Sequence, residues 1–127
     1  MSAPPGIPET VYRFLLDHIG SVEQLEILLL LRSWRDRDWS PDEVAKELRT
    51  ATISAGHRLV DLAARGLLTA DQNRYRFAPN GDALEVAIAD LARVYRERPV
   101  TVIEIIFSKP SDVIRTFADA FKLRRDK

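Results

Sequence analysis

Residues 39–78 read WSPDEVAKELRTATISAGHRLVDLAARGLLTADQNRYRFA, and the punctuation of this stretch decides the fold. Ser40 is a good helix N-cap, Pro41 suits a first helical position, and Glu43 stands three residues after Ser40, the spacing of a reciprocal capping box. The helix so opened, with Val44, Ala45 and Leu48 inward, is predicted to last about nine residues. Arg49-Thr50-Ala51-Thr52 breaks it, and a second helix is predicted from about Ser54 to Arg65. Gly66 stands where a left-handed helix-ending residue is wanted. Leu67–Ala70 and Asn73–Phe77 then read as two short strands around an Asp71-Gln72-Asn73 turn, with Tyr75 and Phe77 on one face and Arg74 and Arg76 on the other.

The rest of the chain is read outward from there. Residues 1–8 carry three of the seven prolines and read as a flexible lead-in. Val11, Phe14, Leu15 and Ile19 recur at helical spacing and predict a helix over Glu9–His18, ended by Gly20. Ser21 and Gln24 have capping-box spacing and open a helix expected to reach about Arg35. Its apolar stripe is wide, taking in Leu25, Leu28, Leu31 and Trp34, so it is expected to be central and buried on most sides. Trp34 is accordingly placed in the core, and Trp39 is taken as a strand-to-helix anchor. Leu84, Ala87, Ile88, Leu91, Val94 and Tyr95 predict a long helix from Asp82 to about Arg98. Val100–Phe107 is β-branched yet helically spaced, and is read as a helix with Pro99 at its first position. Pro110 is expected to open a last helix with Val113, Ile114, Phe117, Ala118 and Phe121 on one face.

Composition narrows the function. Nineteen basic and nineteen acidic residues cancel, so no global field draws in nucleic acid or membrane, and any such partner must meet a local patch. No cysteine is present, which removes disulfides, thiolate metal sites and cysteine nucleophiles. Apolar runs are far short of a membrane span, and the N-terminus lacks the basic and apolar regions of a signal peptide, so a cytoplasmic protein without a membrane role is expected. His18 and His57 have neither metal-site nor triad spacing, and the glycines form no phosphate loop. Asp36 with Asp38, and Asp42 with Glu43, read as solvated or dipole-favoured carboxylates. No catalytic residue, metal or cofactor is expected, and enzyme activity is not.

Short helix, turn, second helix, Gly-Leu-Leu and hairpin together resemble the winged helix-turn-helix domain of bacterial regulators of the MarR and ArsR type. The matching residues are Trp39–Arg49, Thr52–Arg65, the run Leu59–Leu68 into the wing, and Arg74–Ala78. The resemblance covers roughly Ser21 to Pro79. It implies a mainly α fold: a winged helix-turn-helix core with a small two-stranded wing over residues 9–79, leading helix included, and a helical extension over 80–127. It also implies a symmetric homodimer with recognition helices about 34–36 Å apart on double-stranded DNA.

Charge supports a local patch on that surface. Residues 49–76 carry Arg49, Arg58, Arg65, Arg74 and Arg76 against Asp61 and Asp71, a balance of +3 in a neutral chain. On a helical wheel Ser54, His57, Arg58, Asp61, Ala64 and Arg65 oppose the Ala55–Leu59–Leu62 side. Ser54, His57, Arg58 and Arg65 are therefore candidate base or phosphate contacts, with Thr50, Thr52, Arg74 and Arg76 positioning the backbone. The bland reading is that these arginines are merely solvated, and Asp61 opposes phosphate. Ile103, Ile106, Phe107, Ile114, Phe117 and Phe121 are the candidate dimer or partner interface. Two functions follow: a dimeric DNA-binding transcriptional regulator, or a non-enzymatic winged-helix module docking a partner protein through its C-terminal helices.

Overall fold

The computed structural model describes residues 2–109. In chain order its elements are α1 (Glu9–His18), α2 (Val22–Ser33), α3 (Pro41–Leu48), α4 (Thr52–Ala64), β1 (Leu68–Asp71), β2 (Arg74–Phe77), α5 (Asp82–Glu97) and α6 (Pro99–Ser108). The fold is mainly helical with one small antiparallel sheet. The helix expected after Pro110 lies outside the described residues.

Local chemistry accounts for most boundaries. Ser40 and Glu43 form the full capping box, with the Glu43 N–H donating to Ser40 Oγ at 3.1 Å and the Ser40 N–H donating to Glu43 Oε1 at 2.8 Å. At Ser21 the box is only half made. Ser21 Oγ accepts from the Gln24 N–H, but Gln24 Oε1 accepts from Gly20 one residue upstream of the expected partner. Pro99 opens α6 at its first position, so the β-branched run is helical, and Val102, Ile105 and Ile106 turn inward at helical spacing. The hairpin turns on Gln72 (φ 51°) and Asn73 (φ 60°), both left-handed, as a two-residue type I′ connection requires. Gly66 takes φ +78°, and a Cβ there would stand 2.6 Å from Asn80 Nδ2.

α2 is the central helix. Leu25, Ile27, Leu28 and Leu31 are fully buried, and α2 packs on α3, α4 and β2. Tyr95 on α5 donates to Glu26 at 2.7 Å, and burial with this bond pushes its phenol up to about 12. α1 packs instead on α5 and α6. The expectation for Trp34 is corrected: α2 stops at Ser33, Trp34 is its C-cap, and the indole is 57% exposed. Trp39 is buried and exchanges two backbone hydrogen bonds of 2.8 Å with Tyr75, which ties the start of α3 to the hairpin. The residues read as a lead-in pack against the body: Ile7 is 5% exposed, and Gly6 (φ +85°) lies against the Arg98 guanidinium.

Candidate nucleic-acid interface

α3 and α4 are joined by Arg49–Ala51. Arg49 adopts φ 56°, a left-handed conformation that an L-residue takes at a cost, and its N–H still closes on Ala45 O. Ala51 is the extended N-cap of α4, so that helix begins two residues earlier than its sequence predicts. Thr52 Oγ1 donates to Asp42 at 2.9 Å, binding the start of α4 to the first turn of α3.

Ala55, Leu59 and Leu62 face the core, as expected. The polar side chains beside them do not all turn to solvent. Thr50 Oγ1, Ser54 Oγ and Arg58 Nε all donate to the Glu23 carboxylate on α2, Arg58 at 3.1 Å. Burial pushes the Glu23 carboxyl up, but the hydrogen bonds from Ser54, Thr50 and Arg58 outweigh it and hold the group below its ordinary range. Arg65 Nε pairs with Asp61 at 3.0 Å, and its Nη1 donates to Asp17 O at 2.8 Å. Asp61 also accepts from Gln24 Nε2, whose side chain is buried. Next to this network His18 is held below its ordinary value by burial and the Arg65 charge, with Lys109 adding to that and Asp17 opposing it.

The side of α4 open to solvent is therefore narrower than the wheel suggests. Its centre is Ile53 (76% exposed), His57, Val60 (58%) and Ala64, spaced at i, i+4, i+7 and i+11, with Thr52 at its N-terminal end and the paired but part-exposed Arg58 and Asp61 on its flank. His57 is the only candidate beyond the first turn of α4 that lies on this face. Ile53 and Val60 are absent from the sequence-based set. The signal that finds them is their register: each is about 100° or more from the Leu59–Leu62 direction, so a core that claims Leu59 and Leu62 leaves them outside.

On the hairpin, Arg74 is held by Asp38 (Nε to Oδ1, 2.7 Å) and by Glu43 (Nη2 to Oε1, 2.8 Å). The Arg74 hydrogen bond keeps Asp38 below the usual carboxylate range; for Glu43 the Ser40 N–H does most of this, with Arg74 adding to it. Arg76, opposite Thr69 across the ladder, is exposed, and its side chain makes no hydrogen bond or salt bridge among the described residues. Arg49 makes no side-chain contact of that kind either. A surface recess of about 310 Å³ lies beside these strands, lined by Asp38, Thr69, Asp71, Gln72, Arg74 and Arg76. Of the five arginines in the basic segment, Arg49 and Arg76 thus stand without a side-chain acceptor among the described residues.

The candidate partner interface divides. Ile106 is 3% exposed and is part of the chain's own core, Ile103 is half-buried, and Phe107 is 77% exposed. With Val100 (67% exposed), Ile103 and Phe107 leave an apolar stripe along α6. Ile114, Phe117 and Phe121 lie outside the described residues. Among the described residues no group of three or more His, Asp and Glu could hold a metal ion, and no helix is long and apolar enough to cross a membrane. In comparisons with known proteins the chain matches no known family, no curated protein and no solved structure.

Proposed function

We propose that the chain is a winged helix-turn-helix regulator that binds double-stranded DNA as a homodimer. α3, the Arg49–Ala51 turn and α4 form the helix-turn-helix, and β1 and β2 the wing. The observation that carries this reading is the open face of α4: three turns of helix, left uncovered by the described residues from Thr52 to Ala64, follow a tight turn and precede a hairpin. Within the basic segment 49–76, Arg49 beside its start and Arg76 on the hairpin are the cations with no acceptor among the described residues, free to meet phosphate. The Val100–Ile103–Phe107 stripe supplies an apolar surface for the second subunit.

The experiment is capture of fragmented genomic DNA by the purified protein, followed by affinity measurement on enriched duplexes. Arg49 and Arg76 in each of two subunits give about four phosphate contacts, so affinity should fall about 100-fold between about 50 and 200 mM salt. The double variant R49A/R76A should bind all duplexes more weakly, with a salt slope shallower by about four for the dimer.

A second reading is favoured by the apolar character of Ile53 and Val60. On it the fold is a non-enzymatic module that docks a partner protein. It expects no salt-sensitive affinity for any duplex, and that result from folded protein would replace the first reading.

A further inference from the structure

The open face of α4 is chemically unusual for a surface that reads base pairs. Side chains that pair bidentately with guanine or adenine are Arg, Lys, Asn and Gln. None of these lies on the face. Arg58 and Arg65, the nearest, are engaged by Glu23, by Asp61 and by the Asp17 carbonyl. What the face offers is the branched hydrocarbon of Ile53 and Val60, the Ala64 methyl, the Thr52 methyl and hydroxyl, and one imidazole, His57.

In the major groove one base feature is apolar, the C5-methyl of thymine. We infer that α4 reads thymine methyl groups, through Ile53 and Val60, and that its preferred sites carry thymines spaced to meet them. Seven residues separate the two side chains, about 10.5 Å of helix axis. That length matches about three base steps of 3.4 Å along one strand. His57 lies between them on the same face and offers one ring N–H to an acceptor such as guanine N7 or thymine O4. Specificity of this kind arises by excluding water from methyl groups. It needs few hydrogen bonds, which suits a face that has few to give.

This inference rests on the DNA-binding reading, and its test separates the two. An enriched duplex is compared with the same duplex in which thymines of the half-site are replaced by uracil, a change that deletes methyl groups and nothing else. Wild-type protein at fixed salt should bind the uracil duplex about fourfold more weakly for each contacted methyl removed. I53A and V60A, exposed positions whose loss leaves the core intact, should each reduce the thymine-over-uracil affinity ratio, whatever either does to affinity for the uracil duplex itself. Equal affinity of wild type for the two duplexes overturns methyl readout and leaves DNA binding standing. A thymine preference undiminished in I53A/V60A reassigns the readout away from α4 and also overturns it. Absence of salt-sensitive binding to any duplex ends both the inference and the reading beneath it.

Discussion

Glu23 shows how one side chain can redirect a surface. It stands in the first turn of α2, where a carboxylate is favoured by the helix dipole, and it accepts from Ser54 and Arg58 on α4 and from Thr50 in the turn before it. Three residues with the chemistry of DNA contacts are thereby turned into braces between two helices. Because these bonds hold its carboxyl below the ordinary value of 4.5, the folded state binds a proton there less readily than the unfolded state. The stability this supplies is full above about pH 4.5 and drains away as pH falls through the lower folded value. The variant E23Q keeps an acceptor but loses the charge. It should be less stable at pH 7, by about 1 kcal/mol for a part-buried site that solvent still screens. Its urea midpoint should also vary less with pH than that of wild type between about pH 3 and 5. Parallel pH profiles for the two proteins would show that Glu23 contributes nothing through its ionisation.

At the scale of elements, the sequence is most legible where a boundary is decided within four residues. Ser40-Pro41-Asp42-Glu43, Gly66 and Pro99 each fix a helix end by local chemistry, and each end falls where that chemistry puts it. Trp34 is misplaced by periodicity alone: the apolar pattern runs on through it while the helix stops at Ser33, turning the indole outward. The true outward face of α4 is hidden for a different reason. Glu23 and Gln24, which engage its polar flank, lie 31–37 residues away in sequence, and no local pattern records that they face it. The hairpin turn holds a related conflict between local preference and the fold. Gln72 and Asn73 both take positive φ, yet Gln has no special tolerance for it, whereas Asn and Gly do. Replacing the pair by Asn-Gly, as Q72N/N73G, should raise stability by about 1 kcal/mol without altering the Leu68–Phe77 register. Denaturant midpoints check the gain. A lower midpoint would mean that one of the native side chains makes an interaction worth more than the backbone cost.

For the molecule as a whole, the question is how its two sides are kept as one. α1 packs with α5 and α6, while α2 packs with α3, α4 and β2, and the two groups meet at the bend between α1 and α2 and where Tyr95 on α5 donates to Glu26 on α2. Lys109, at the end of α6, donates from Nζ to the carbonyls of Leu15 (2.9 Å), Leu16 (2.7 Å) and Ile19 (2.8 Å), so an ammonium caps the negative end of α1 from the far end of the described chain. One step further along the same bend, Arg65 donates to Asp17 O and Gln24 to Asp61, which bring α4 to it as well. K109M keeps much of the apolar stem but removes the charge and its donors, leaving the Leu16 and Ile19 carbonyls to water while Leu15 O keeps the Ile19 N–H, at a cost of about 1–3 kcal/mol. If the bend couples the two sides into one cooperative unit, that loss must be felt everywhere at once. Trp34 ends α2 and Trp39 pairs with Tyr75 of the hairpin, whereas Lys109 sits on the end of α1, so tryptophan fluorescence reports the α2–hairpin group while circular dichroism at 222 nm reports all the helices. In wild type the two urea transitions should coincide, and in K109M both should move down together. A fluorescence midpoint that stays in place while the helical signal shifts would show instead that α1 and α6 unfold as a separate unit, with Lys109 holding only those two helices together.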